Sequence, residues 1–334
     1  MEGFVDKDDT STMYGMIQFG RMYRTLNGAN SINFIPGPGP GIGNWVTPFE
    51  QDPTETNTIY VGYDQVFKSM NRGDSWTPIS QTFSSSLDEM KLAPTNNQVI
   101  YAANGVQFLR TRDGGATDWE QTTTPGGQIN SIAVHPTNPD KVAVVTTSIN
   151  KIFVTEDGGD TWENYRFNLP NFSSLSVAWD DNGEDGLYVG MDYGIYYIDN
   201  TFTEWQPYST NLPNVIINEL EVNVADQRLY AGSYGRGLWS SPLFIPEVLA
   251  TASVNAATFS IVPNPTTTTF DIVLPTADQV DIRVFDIAGK LLMYLPNVEV
   301  QNRHTIDVSN LSQGTYFVRL GTSKGTVTQK LLKQ

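Results

Sequence analysis

Two sets of residues in this chain have types and spacings that could do chemistry. The first is acidic. Asp113 and Asp157, with Asn71 in the same setting, lie in stretches that start on Ser or Thr, pass through Gly and close on Trp. These stretches are Ser69-x-Asn71-x-Gly73 to Trp76, Thr111-x-Asp113-x-Gly115 to Trp119, and Thr155-x-Asp157-x-Gly159-x-Thr161-Trp162. Glycoside hydrolysis needs two carboxylates facing each other across one bond. These acids instead return once per repeat, whereas a catalytic site occurs once per protein. They are therefore read as structural: the carboxylate accepts hydrogen bonds from backbone N–H groups two or three residues on. The glycines allow positive φ in a tight hairpin, and the Trp buries its ring while its N–H finds an acceptor. Arg72-Gly73-Asp74 falls inside such a stretch, where Gly and Asp are already required, so its likeness to an integrin-binding tripeptide is coincidental.

The second set is aromatic and polar: Trp45, Tyr63, Asp64, Gln65, Asn104, Asn150, Asp192, Tyr193, Tyr234 and Arg236. Rings flanked by carboxylates and amides suit recognition of carbohydrate or peptide. Other groups offer less. Asp180 to Gly186 and Asp6 to Asp9 are rich enough in oxygen for calcium but lack the alternating ligands and distal Glu of an EF-hand, so solvated turns are expected and no cofactor is assigned. His135 and His304 lie in separate domains, and no Ser/His/Asp set can be assembled around them. Gly37 to Gly43 lacks phosphate-cradle spacing. Arg21, Arg24, Arg110, Arg112, Arg166 and Arg228 fall beside the acidic stretches or on strands, without the cluster a sialidase needs. No catalytic residue is assigned.

The elements that hold these residues follow from a repeat. Trp76, Trp119, Trp162 and Trp205 are each 43 residues apart, and a weaker copy of the stretch runs from Thr25 to Phe34. Six segments ahead of them read as an apolar run, a small break and a second apolar run, beginning at Met13, Ile59, Ile100, Val142, Leu187 and Leu229. The runs are short, rich in Val, Ile, Tyr and Phe, and broken by Gly and Asn. That is about four strands in about 43 residues, the size of one propeller blade. In a blade, the loops joining second to third strand, and fourth to the next first, share one rim. The second set of residues collects there.

The repeated stretch resembles the Asp-box, or bacterial neuraminidase repeat, of sialidases, sortilin-type receptors and xyloglucan-cleaving propellers. The resemblance implies an all-β fold, an incomplete Asp-box β-propeller of about six blade units, over residues 1–243. Unit six, from about residue 216, stops after its third strand, and nothing precedes unit one to complete it. The chain is accordingly expected to be the C-terminal part of a longer propeller. Xyloglucan-type enzymes draw their acids from two propellers, of which this chain holds at most one.

Composition sets outer limits. The chain has 334 residues with 36 acidic and 20 basic side chains, for a formal charge of −16. This argues against a partner with a nucleic-acid backbone. No apolar run approaches the length of a membrane-spanning helix, and the absence of cysteine excludes thiol chemistry and Cys-ligated zinc. After a small-residue linker at 244–258 the charge changes: residues 259–334 carry net +1, against −17 before them. Seven short strands follow, suiting a small Ig-like sandwich. Val262-Pro263-Asn264-Pro265, Val284 to Lys290, Ile306 to Leu320 and the ending Lys330-Leu331-Leu332-Lys333 resemble the type A C-terminal sorting domain of the type IX secretion system of Bacteroidetes-type bacteria. The resemblance implies type IX machinery as a partner, a secreted or cell-surface location, and a Sec signal peptide, which Met1 to Ser11 does not provide. The expected function is an exported propeller binding an extracellular polysaccharide or protein; the alternative is a secreted xyloglucanase- or sialidase-like glycoside hydrolase whose catalytic half is missing.

Overall fold

A computed structural model describes residues 2–39, 41–244, 259–287, 289–322 and 325–334. The chain forms two compact units, Met1–Phe244 and Ile245–Gln334. Apart from Phe244, the expected linker lies outside the described residues.

The first unit is a series of six antiparallel sheets, blades 1 to 6 at residues 3–35, 49–78, 89–121, 129–164, 174–207 and 217–242, each taking its strands in chain order. Blade 4 is representative: Ile129–Val134, Val142–Thr146, Ile152–Thr155 and Glu163–Asn164. Its two middle strands are buried along their whole length, while the fourth is exposed. Middle strands lie between two neighbouring sheets, so both faces are covered and the sequence reads as a continuous β-branched run rather than an alternation. Buried clusters fill the spaces between successive blades. One joins Tyr14, Met16 and Met22 of blade 1 to Phe49, Ile59 and Val61 of blade 2. Others join blades 2 and 3, 3 and 4, 4 and 5, and 5 and 6. Blade 1 has four strands, from Gly3–Val5 to Asn33–Ile35. Blade 6 has three among the described residues: Ile217–Asn223, Arg228–Ser233 and Gly237–Pro242. The all-β propeller read from the repeat is the fold observed.

The second unit pairs a three-stranded sheet (Ser260–Val262, Thr269–Val273, Arg303–Asp307) with a four-stranded one. The latter is ordered Leu291–Val300, Asp278–Phe285, Gly314–Thr322, Gly325–Lys333. Phe259, Ile261, Phe270 and Ile272 pack against Val280, Ile282, Val284, Val318 and Leu320. From Val280 to Phe285 buried and half-buried residues alternate, as a sheet with one covered face requires. This is the expected small sandwich.

Candidate ligand-binding rim

The acids that most resemble catalytic carboxylates are held inside their own hairpins. Asp157 accepts from the Thr161 amide at 2.9 Å, the Thr161 hydroxyl at 2.6 Å and the Thr155 hydroxyl at 2.7 Å. Thr155 Oγ1 in turn accepts the Gly159 N–H at 2.9 Å. Asp113 repeats this with Thr111, Gly115 and Thr117. Asn71 does so with Ser69 and Ser75, and Gly73 donates to Ser69 Oγ. The carboxylates accept the expected N–H groups two and three residues on, Gly115 and Ala116 at Asp113, and in both loops the amide four residues on as well. Hydroxyl and amide donors stabilise the charged form, so hydrogen bonds from Thr117 and Thr111 push the Asp113 pKa down to about 2. The Thr161 and Thr155 hydroxyls depress Asp157 further.

Each hairpin places its indole against the preceding blade. Trp76 Nε1 donates to the Pro36 carbonyl at 3.1 Å, Trp119 to Ile79 at 2.8 Å, Trp162 to Thr123 at 3.0 Å and Trp205 to Tyr165 at 2.7 Å. Trp119 is buried and Trp205 fully so. Both carry a clamp the sequence did not reveal: the Gln81 amide bonds the backbone N–H and C=O of Trp119, and Asn168 does the same for Trp205. The box arginines are also committed. Arg24 pairs with Asp74, and Arg110 reaches Glu120, Asp160 and the Gly158 carbonyl.

On the opposite rim, four of the expected residues meet. Asp192, Tyr193, Tyr234 and Arg236 line one cavity of about 320 Å³ with Asn214, Val215 and Ile216. Asp192 and Tyr193 come from the second-to-third loop of blade 5, and Tyr234 and Arg236 from the same loop of blade 6. Asn214 to Ile216 form the connection between these blades. Tyr193 and Tyr234 expose 52% and 74% of their surface, enough to offer a ring face to a ligand. The Phe172 ring stands 4.8 Å from that of Tyr193 and widens the aromatic surface. Asp192 is positioned by the Ser173 N–H, which donates to Oδ2 at 3.0 Å and leaves Oδ1 free of protein hydrogen bonds among the described residues.

The remaining rim residues are placed differently. Trp45 is exposed but pairs edge-on with Phe19 of blade 1, at 5.4 Å. Phe19 sits at φ +64, a backbone region that bulky side chains rarely adopt. Tyr63 is corrected. It is buried at 3% exposure and its hydroxyl donates to the Gly20 carbonyl at 2.8 Å, so it packs between blades and offers no surface to a ligand. Gln65 is half-buried and donates to the Ser80 carbonyl; Asn104 is buried and exchanges hydrogen bonds with Ser85. Asp64 is half-buried, with its carbonyl taken by the Phe83 N–H. Asn150 is exposed beside Lys151. Phe172, Phe19 and Asn214 were not singled out from sequence, although they occupy the same two classes of loop.

A second gathering of charge lies where the first strands converge. Glu2, Glu50, Glu89, Lys91 and Glu219 line a cavity of about 40 Å³. Lys91 is hydrogen-bonded to Glu50. Withdrawal from water pushes Glu89 up to about 8 and Glu219 up to about 7; Lys91 opposes this and the other glutamates reinforce it. The space holds little more than a water molecule, far less than a sugar ring. Among the described residues no group of His, Cys, Asp and Glu side chains is arranged to hold a metal ion. The Asp180–Gly186 loop is instead tied by Asn182, which accepts the Glu184 and Gly186 N–H groups, and by Asp185, which pairs with Lys141.

Comparison with known proteins agrees with both units. Residues 260–334 match the family described as secretion system C-terminal sorting domain, and residues 64–183 match the sortilin, neurotensin receptor 3 family. No curated protein sequence matches the chain. Among solved structures, an ancestral GH74 enzyme aligns over 98% of this chain and 52% of its own, with 14% identity and a TM-score of 0.55. A GH74 enzyme of Niastella koreensis aligns over 73% of this chain and 36% of its own, with 16% identity and a TM-score of 0.56. YCF48 bound to D1 peptide aligns over 82% and 88%, with 13% identity and a TM-score of 0.53. At these identities the likeness shows the fold. The chain spans about half the length of the first of these structures or less. The C-terminal unit is a type IX sorting domain, and it directs the chain to the cell surface or beyond. No helix among the described residues is long and apolar enough to cross a membrane.

Proposed function

We propose that this is an exported propeller whose rim cavity between blades 5 and 6 binds carbohydrate outside the cell, residues 259–334 serving as the segment that engages the type IX machinery. The observation that carries the reading is the meeting of Asp192, Tyr193, Tyr234 and Arg236 on one cavity with two exposed rings. The C–H face of a sugar stacks on an aromatic ring, while its hydroxyls donate to a carboxylate and accept from a guanidinium. A volume of about 320 Å³ is within the range of small-ligand sites, and matches one or two sugar units better than a long groove. The test is retention of the full chain on a panel of insoluble and immobilised polysaccharides. Tyr193→Ala with Tyr234→Ala should weaken retention at least tenfold without changing the thermal midpoint. Equal retention by the double variant would remove the site.

A second reading, glycoside hydrolysis, draws support from the fold shared with GH74 enzymes. The raised carboxyls of Glu89 and Glu219 have the protonation a general acid needs; together they line a space of only about 40 Å³, and Glu219 without Glu89 also borders a cavity of about 420 Å³. In this reading the catalytic pair is contributed from outside the present chain. Release of reducing ends by this chain only in the presence of the polypeptide that contributes the pair would favour it over simple binding.

A further inference from the structure

The 43-residue repeat gives each blade an indole socket on the blade before it, and one socket is built but unfilled among the described residues. Trp205 sits in a cluster with Ile152, Leu169, Leu187, Val189 and Ile198, next to Tyr165. One repeat further on, the same positions are Ile195, Leu212, Leu229, Ala231 and Ser241, next to Tyr208. All six line a cavity of about 340 Å³ between blades 5 and 6. The Tyr165 carbonyl accepts the Trp205 indole N–H at 2.7 Å, whereas that of Tyr208 accepts no hydrogen bond among the described residues. Forty-three residues after Trp205 the sequence has Val248, not tryptophan.

The strand beside this socket has no fourth-strand partner among the described residues, its Ser240 carbonyl and hydroxyl being covered only by the Arg228 side chain. In blades 4 and 5 the fourth strand pairs with Phe153 and Val154, and with Tyr196 and Tyr197. The equivalents in blade 6 are Trp239 and Ser240, whose strand pairs only with Arg228–Ser233 among the described residues. Native edge strands are usually blunted by charge, bulge or proline. This one reads Gly-Leu-Trp-Ser-Ser-Pro, uncharged throughout, with Leu238 exposed at 71% and proline only at its end.

We propose that this edge and socket bind an extended segment of another polypeptide, which adds as the fourth strand of blade 6 and inserts a tryptophan into the cavity. The four filled sockets of the same chain specify that occupant: backbone pairing supplies affinity, and a pocket sized for an indole with a carbonyl at its rim supplies selectivity. The site is distinct from the carbohydrate cavity and does not depend on it.

The probe is a fluorescein-labelled peptide copying Thr155 to Tyr165, the chain's own box and fourth strand, titrated with the full chain by fluorescence polarisation. Saturable binding is expected, at least tenfold weaker for the same peptide with Trp162→Ala. Ala231→Trp, which fills the cavity, should abolish binding. Thr210→Trp, at an exposed lining position that leaves folding intact, should weaken it at least fivefold. Absence of saturable binding, equal affinity for the two peptides, or full binding by both protein variants would overturn the proposal. Occupation of the socket by another part of this chain would give the first of these results.

Discussion

Asp113 and Asp157 show how a side chain suited to catalysis is used for architecture. Their oxygens are taken by hydroxyl and amide donors of the same turn, and Asn71 makes equivalent bonds in blade 2. Asp113→Asn should therefore fold normally near neutral pH. The pH dependence separates the two forms. A carboxylate whose folded pKa lies below its unfolded value stabilises above the unfolded value, near 3.8, and that contribution is lost as pH falls through the folded one. Wild-type stability should fall between about pH 4 and pH 2, and Asp113→Asn with Asp157→Asn should reduce that slope in acid-unfolding curves. Glu89 and Glu219 act in the opposite direction. Their folded pKa values are raised, so stability present below about pH 4.5 is lost as pH rises towards about 7 to 8. Glu219→Gln should raise the urea midpoint at pH 8.5 more than at pH 5; an equal change at both would show that channel water already solvates the charge. The box acids could be read from sequence because their bonds are local. The glutamate cluster could not, since Glu2, Glu50, Glu89 and Glu219 meet only when blades surround a common axis.

A blade is held less by its own hairpins than by what it presses against. Trp205 is 1% exposed and fixed at three backbone or side-chain contacts on blade 4, so Trp205→Ala should cost about 3–5 kcal/mol. Half-buried Trp162 should cost less, and thermal denaturation of the two variants would rank them. The hairpin glycines are tied to the neighbouring blade as well. At Gly115, φ +82, a Cβ would lie 1.9 Å from the Ile79 carbonyl oxygen; at Gly159, φ +103, it would lie 2.8 Å from the Phe108 ring. A ring can shift more readily than a paired backbone, so Gly115→Ala should destabilise more than Gly159→Ala, by roughly 1–3 kcal/mol beyond the cost of the φ itself. Equal midpoints for the two variants would show that the hairpin, not the interface, sets the requirement. Period and turn chemistry made these elements legible. The Gln81 and Asn168 clamps were not, because amide side chains in loops carry no periodicity to mark them.

Across the whole molecule, two units of opposite charge balance make up the propeller and the sorting domain. Removal of residues 259–334 should leave the propeller folded yet retained within the cell envelope, which fractionation and protease accessibility would show; surface display of the truncated chain would separate export from the tail. The sequence by itself determined the repeat, the order of strands and the sorting landmarks. All of these follow from local preferences for turn and strand, from burial on both faces of middle strands, and from short motifs read in register. Tertiary structure decided which rim residues share a surface. Tyr63 and Tyr234 occupy related loops and are the same residue type, but one is enclosed by the loops of blade 1 and the other faces solvent beside Arg236. That difference arises from the neighbouring blade rather than from the loop's own sequence, because packing between sheets joins residues about 40 positions apart and leaves no trace within either segment.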